Sequence, residues 1–204
     1  MKRVAIDIGH ANGTGARGNG FEEHEQCKKL AAELKKALEA FKLCPIQADI
    51  IDFPEQSNGG DIFATVQAVN AGNYAACISL HMDAASKIVR RDKITYPDGT
   101  TGDFPIYADD PKPKGAHVCY YSERGKELAK EIALRLCPQL PGRANKTVKR
   151  TDLYVLKNTR PVAVLVECGF ITNSNDAEWV DKNPDRVALS IALGIASFFD
   201  YAQN

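Results

Sequence analysis

Short β-branched apolar runs alternate along this chain with longer segments whose apolar residues recur at the helical period, and that alternation leaves few folds open. Arg3 to Ile8 reads as a strand. Phe21 to Lys42 reads as a helix, with Cys27, Leu30, Ala31, Leu34, Leu38 and Phe41 on one stripe. Ile46 to Phe53 is the next strand, stopped by Pro54 and Asn58-Gly59-Gly60. A helix over Asp61 to Asn70 leads to the strand Ala75 to Leu80. After a long interval come a strand from His117 to Tyr121, a helix capped near Ser122, and strands at Leu153 to Leu156 and Val162 to Val166. Pro184 behind Asn183 marks the start of a last helix to about Tyr201. The pattern predicts an α/β fold: a single domain over 1–204 with a mostly parallel central sheet of about six strands and helices on both faces.

The interval from Ser86 to Gly115 holds Pro97, Pro105, Pro111 and Pro113, and it reads as a long surface insertion with a hairpin at Asp92 to Tyr96 and Thr101 to Tyr107. A chain of 204 residues with 44% hydrophobic residues buries a full core, which excludes global disorder. The 26 basic and 26 acidic residues cancel, so the basic surplus of a nucleic-acid-binding domain is missing. No apolar run approaches membrane-spanning length, and Val4-Ala5-Ile6 after Met1-Lys2-Arg3 reads as too short an apolar segment for a signal peptide, so neither a signal peptide nor membrane insertion is expected. The six cysteines show no C-x-x-C pair and read as reduced core residues.

Three strands deliver chemistry at their carboxyl ends, where ligands bind in such folds. Val4 to Gly9 leads to His10, Cys77 to Leu80 to His81, and Val162 to Val166 to Glu167. If these strands are parallel neighbours, two imidazoles and a carboxylate share one crevice, with Glu22-Glu23 at the start of the first helix as a further candidate. Two His and one carboxylate, with one position left to water, form the ligand set of a catalytic zinc site, although iron and manganese accept the same donors. An ionised carboxylate following the apolar run before Glu167 is costly unless paired or metal-bound, which argues for function there.

Other conspicuous residues read as ordinary. His24 lies among Glu22, Glu23, Glu25 and Gln26 and is expected to be solvated, and His117 merely begins a strand. Cys168 should face away from Glu167 by strand alternation. Gly13-Thr14-Gly15-Ala16-Arg17-Gly18 matches G-x-G-x-x-G, but the helix starts too late and no acidic residue ends the next strand at the required distance. It reads as a loop carrying the chain from His10 to Glu23.

Val4-Ala5-Ile6-Asp7-Ile8-Gly9-His10, Gly20-Phe21-Glu22-Glu23, Ile78-Ser79-Leu80-His81-Met82-Asp83-Ala84 and Leu165 to Asn173 resemble, in order and spacing, the zinc-dependent N-acetylmuramoyl-L-alanine amidases of the Amidase_3 type. The stretch Val148 to Thr159 is similar to the segment before that family's last strand. The resemblance implies one zinc ion per chain on His10, Glu23 and His81, with Glu22 the competitor for Glu23, and a catalytic role for Glu167. It implies peptidoglycan as substrate, cut at the amide between N-acetylmuramic acid and L-alanine. Met82-Asp83 and Phe53-Pro54-Glu55 depart from the family pattern near the crevice and bear on substrate preference. The 86–115 insertion does not resemble the regulatory helix of septal members, so an open site is expected. Such an enzyme reaches the wall on release from the cytoplasm or by export with a signal not present in this sequence. The alternatives are a zinc peptidase acting within the stem peptide, an inactive peptidoglycan-binding module, and a nucleotide-binding protein using the glycine loop.

Overall fold

The computed structural model describes residues 1–11, 14–41, 46–54, 60–95 and 97–201. In chain order it contains β1 (Lys2–Ile8), β2 (Arg17–Gly18), β3 (Phe21–Glu22), α1 (Glu23–Glu39), β4 (Ile46–Ile51), α2 (Gly60–Ala71), β5 (Ala76–Asp83) and β6 (Ser86–Thr95). There follow β7 (Thr101–Asp109), β8 (His117–Tyr120), α3 (Glu123–Leu136), β9 (Thr147–Lys149), α4 (Tyr154–Asn158), β10 (Val162–Phe170), α5 (Ser174–Lys182) and α6 (Pro184–Tyr201).

A six-stranded sheet in the order β4-β1-β5-β10-β8-β9 forms the centre, as the alternating pattern predicts. β1 pairs in parallel with β4 and β5, β5 with β10 and β8 with β9; within this sheet, among the described residues, the β10–β8 pair alone is antiparallel. Strand alternation sends Val4, Ile6, Ile78, Leu80, Val164, Val166 and Cys168 to one face, where the apolar stripes of α1, α3 and α6 cover them. Ala5, Cys77, Cys119, Ala163 and Leu165 point to the other face, under Val66 and Val69 of α2 and Val155 and Leu156 of α4. β10 is thus buried on both faces, which explains its unbroken apolar run. Among the described residues, no helix is long and apolar enough to cross a membrane.

Several elements differ from the sequence reading. Leu153 to Leu156 is not a strand: Leu153 takes the cap position of helix α4. A four-residue apolar run carries no period of its own, and here Val155 and Leu156 are buried together as a helical turn allows. β5 and β10 run past His81 and Glu167, so both residues lie within paired strands rather than beyond their ends. The hairpin β6–β7 begins at Ser86 and runs to Asp109, longer than expected on both sides. The ribbon β2–β3, the edge strand β9 and the helix α5 were not anticipated. Helix α1 starts at Glu23 rather than Phe21, because Phe21 and Glu22 pair with Gly18 and Arg17. Ser122 caps α3 as expected, its hydroxyl accepting from Gly125 N at 3.0 Å. Cys27, Cys77, Cys119, Cys137 and Cys168 are buried free thiols. Cys44, Lys42, Glu55, the turn at Asn58-Gly59, Tyr96 and Gly13 lie outside the described residues.

Candidate metal centre

β1, β5 and β10 are adjacent and parallel, so the crevice at their carboxyl ends receives the side chains that the sequence placed there. The chain leaves β1 through Gly9, whose N–H donates to Leu80 O at 2.9 Å, and turns at His10 with φ of 60°. That left-handed conformation costs a non-glycine residue about 1–2 kcal/mol. It is held from outside: His24 Nδ1 lies 2.7 Å from His10 O.

Glu23, the first residue of α1, is 2% exposed. Its Oε1 lies 3.0 Å from His81 Nδ1 and accepts from Met82 N at 3.0 Å. Its Oε2 accepts from Ala16 N at 2.8 Å and lies 3.4 Å from His10 Nε2. One donor atom from each of His10, Glu23 and His81 falls within 4.8 Å of the others. Two imidazole nitrogens and one carboxylate oxygen at such spacing are a donor set that fits zinc. Glu22, the competitor, is placed apart: its Oε1 pairs with Arg17 at 2.8 Å.

Electrostatics follow from this crowding. Burial would raise the Glu23 carboxyl, but the hydrogen bond and charge of His81 and the nearby His10 hold it below the usual range. Burial lowers His10, against the charge of Glu23. Burial would also lower His81, and its bond to Glu23 with the charge of Glu167 overrides that and raises it.

Glu167 of β10 stands beside His81 of β5 in register. Burial pushes its carboxyl up to about 7, against the opposing charge of His81. Its Oε2 is buried without a hydrogen-bond partner among the described residues. A buried polar atom left unpaired is rare and marks a place where a ligand or water is expected. Glu167, the three donors and Asp83 line one open groove of 320 Å³.

The residues read as ordinary fare differently. His24 is buried at 1% exposure, not solvated: it shares the inward stripe with Cys27 and Ala31 and props His10. His117 is buried opposite Glu167 on β8, and its Nε2 lies 4.0 Å from Asp83 Oδ2. Burial, with Arg143 and Arg150 nearby, pushes it down to about 4. Cys168 is fully buried with the α1 face, away from Glu167. Of the glycine loop, Gly15 sits against the His10 ring and the Glu23 carboxylate. Sequence reasoning missed Asp7, buried below the site, which accepts from Ser79 Oγ at 2.6 Å. Its position inside the apolar run Val4 to Ile8 was the available signal.

The family profile described as N-acetylmuramoyl-L-alanine amidase, Amidase_3, matches residues 4–197. The amidase LytC of Bacillus subtilis strain 168 is 28% identical over 203 residues, covering 96% of this chain and 35% of LytC. The chain thus spans about a third of that relative. The amidase CwlM of Bacillus licheniformis is 27% identical, covering all of this chain and 71% of CwlM. Among solved structures, the catalytic domain of the CD27L endolysin targeting Clostridia difficile superposes with a TM-score of 0.76 at 25% identity, covering 97% of this chain and 98% of that one.

Proposed function

We propose, from the premise that this chain belongs to the N-acetylmuramoyl-L-alanine amidase family, that it hydrolyses the amide between N-acetylmuramic acid and L-alanine in bacterial peptidoglycan with one bound zinc ion. The observation that carries this reading is the convergence of His10, Glu23 and His81 within 4.8 Å, next to a buried Glu167 carboxylate oxygen without a hydrogen-bond partner among the described residues.

His10, Glu23 and His81 would hold the metal. Bound there, zinc supplies Lewis-acid polarisation of the scissile carbonyl and activates water at neutral pH. The protein's own groups do the rest. Glu23 fixes the His81 ring through its Oε1, and the Met82 N–H fixes Glu23 in turn. His24 holds the strained turn that presents the His10 ring. Glu167, whose carboxyl burial raises to about 7, takes a proton from the attacking water and returns it to the alanine nitrogen as the amide breaks. Cleavage leaves a lactyl carboxylate on the sugar and a free amino group on the peptide. The groove around these groups is open, and the described residues of the 86–115 insertion form a hairpin rather than a helix. That arrangement supports access by a polymer without an unlocking step.

Product analysis on purified peptidoglycan tests the reading. An amidase exposes amino-terminal alanine without new reducing sugar ends. A stem peptidase exposes a different amino terminus, and a binding module exposes none.

A further inference from the structure

A second groove, of 540 Å³, is lined by Lys112, Lys114 and Arg143 with no carboxylate. In a chain of zero net charge such a concentration is distinctive. Lys112 and Lys114 are exposed, and no ion pair involves any of the three among the described residues. The guanidinium of Arg143 lies 5.4 Å from the Phe170 ring centroid, and its charge reaches Asp83 and His117. Lys146 and Lys149, at the edge strand β9, are exposed as well.

The groove is built on pinned backbone. Gly115 N donates to Asp176 Oδ2 at 2.6 Å, and the same oxygen accepts from Phe170 N at 3.0 Å. Ala116 N donates to Leu140 O at 2.9 Å, which ties the Lys112–Lys114 segment to the loop carrying Arg143. Phe170 in turn pairs with Asp83 of β5, and Asp83 lines the metal groove. The sequence of neighbours Asp83, Phe170, Arg143 therefore leads from the metal centre directly to the cations.

We propose that this basic groove receives a carboxylate of the peptidoglycan stem peptide, placing the peptide side of the scissile amide toward Arg143, Lys112 and Lys114; the proposal rests on the amidase reading of the adjacent centre. Charge complementarity selects this occupant. In an intact strand the lactyl group is bound as an amide and the sugars are neutral, so the anionic groups of the substrate lie on its peptide. The residue after L-alanine is a γ-linked glutamate whose α-carboxyl is either free or amidated, and the groove distinguishes the two.

The test uses two soluble muropeptides identical except for that group, carboxylate in one and carboxamide in the other. The wild-type protein is expected to favour the carboxylate in kcat/KM by about fivefold to tenfold, the scale of a few partly solvated charge pairs. The ratio should shrink as ionic strength rises. In Lys112→Ala/Lys114→Ala/Arg143→Gln the ratio falls to near one, and Lys112→Ala/Lys114→Ala, which alters only exposed side chains, falls part of the way. A wild-type ratio near one, or a ratio unchanged in the variants, overturns the proposal. So does a variant that keeps the ratio and loses only binding to a glycerol-phosphate polymer, which would assign the groove to phosphodiesters. If neither muropeptide is cut, the amidase reading fails by itself. Calorimetric binding of the free carboxylate peptide, measured on both proteins, then decides the groove: equal binding, or none, overturns it.

Discussion

Glu167 stands beside His81 in the parallel register of β5 and β10, so the carboxylate and the imidazole project from neighbouring strands on the same face of the sheet. The pairing fixes their separation through backbone hydrogen bonds rather than through side-chain contacts. It also lets either side chain be altered without unseating the other.

Glu167→Gln is therefore expected to retain the metal while losing activity on peptidoglycan by about 10²–10⁴-fold, the usual worth of a positioned acid–base group. Metal analysis beside turnover checks this. Near-full turnover in the variant would remove Glu167 from the reaction.

Glu23→Gln should behave oppositely. Glu23 is wedged between two imidazoles, so losing its charge should weaken metal binding at least about 100-fold, more than the loss of an outer-shell partner. Glu22→Gln, which breaks only the pair with Arg17, should keep stoichiometric metal. Metal content after dialysis of both variants discriminates the two adjacent glutamates.

Gly15→Ala tests the glycine loop. At φ of 85° a side chain is strained by about 1–2 kcal/mol. Its Cβ would also meet His10 Cγ at 2.9 Å and Glu23 Oε2 at 3.0 Å. Reduced metal affinity together with a lower Tm is expected. Wild-type values for both would show that the loop does not brace the donors.

Much of this was legible in the residues. The apolar runs of β1, β5 and β10 announced central strands, and the polar residue following each announced the crevice. The acidic neighbours of His24 suggest solvent, whereas its spacing to Cys27 and Ala31 places it on the buried stripe of α1. Helix α5 was missed despite its signal: Asn173 caps it by accepting from Asp176 N. The choice between strand and helix at Leu153 to Leu156 depended on packing against α2 and β10, which local sequence does not carry.

Asp7 offers a stability measurement separate from catalysis. Burial raises its carboxyl from the ordinary 3.8 to about 6, with Ser79 and His81 opposing. A group raised in the folded state contributes fully below its unfolded value and loses that contribution as pH rises through the folded value. Wild-type stability should thus fall between pH about 4 and about 6, by an amount of the order of 3 kcal/mol. Asp7→Asn keeps an acceptor for Ser79 and removes this dependence. Denaturant unfolding of the metal-stripped protein across that window should show the variant gaining on wild type as pH rises. An unchanged difference would contradict the assignment.

The central claim is that one zinc ion on His10, Glu23 and His81 drives cleavage of the amide to L-alanine. The most direct measurement strips the protein with a chelator, returns zinc in steps, and follows amino-terminal alanine released from purified peptidoglycan. Release should be absent at first, rise linearly and break at one equivalent per chain. Full release from the stripped protein, or a rise with no break at one equivalent, would contradict the account.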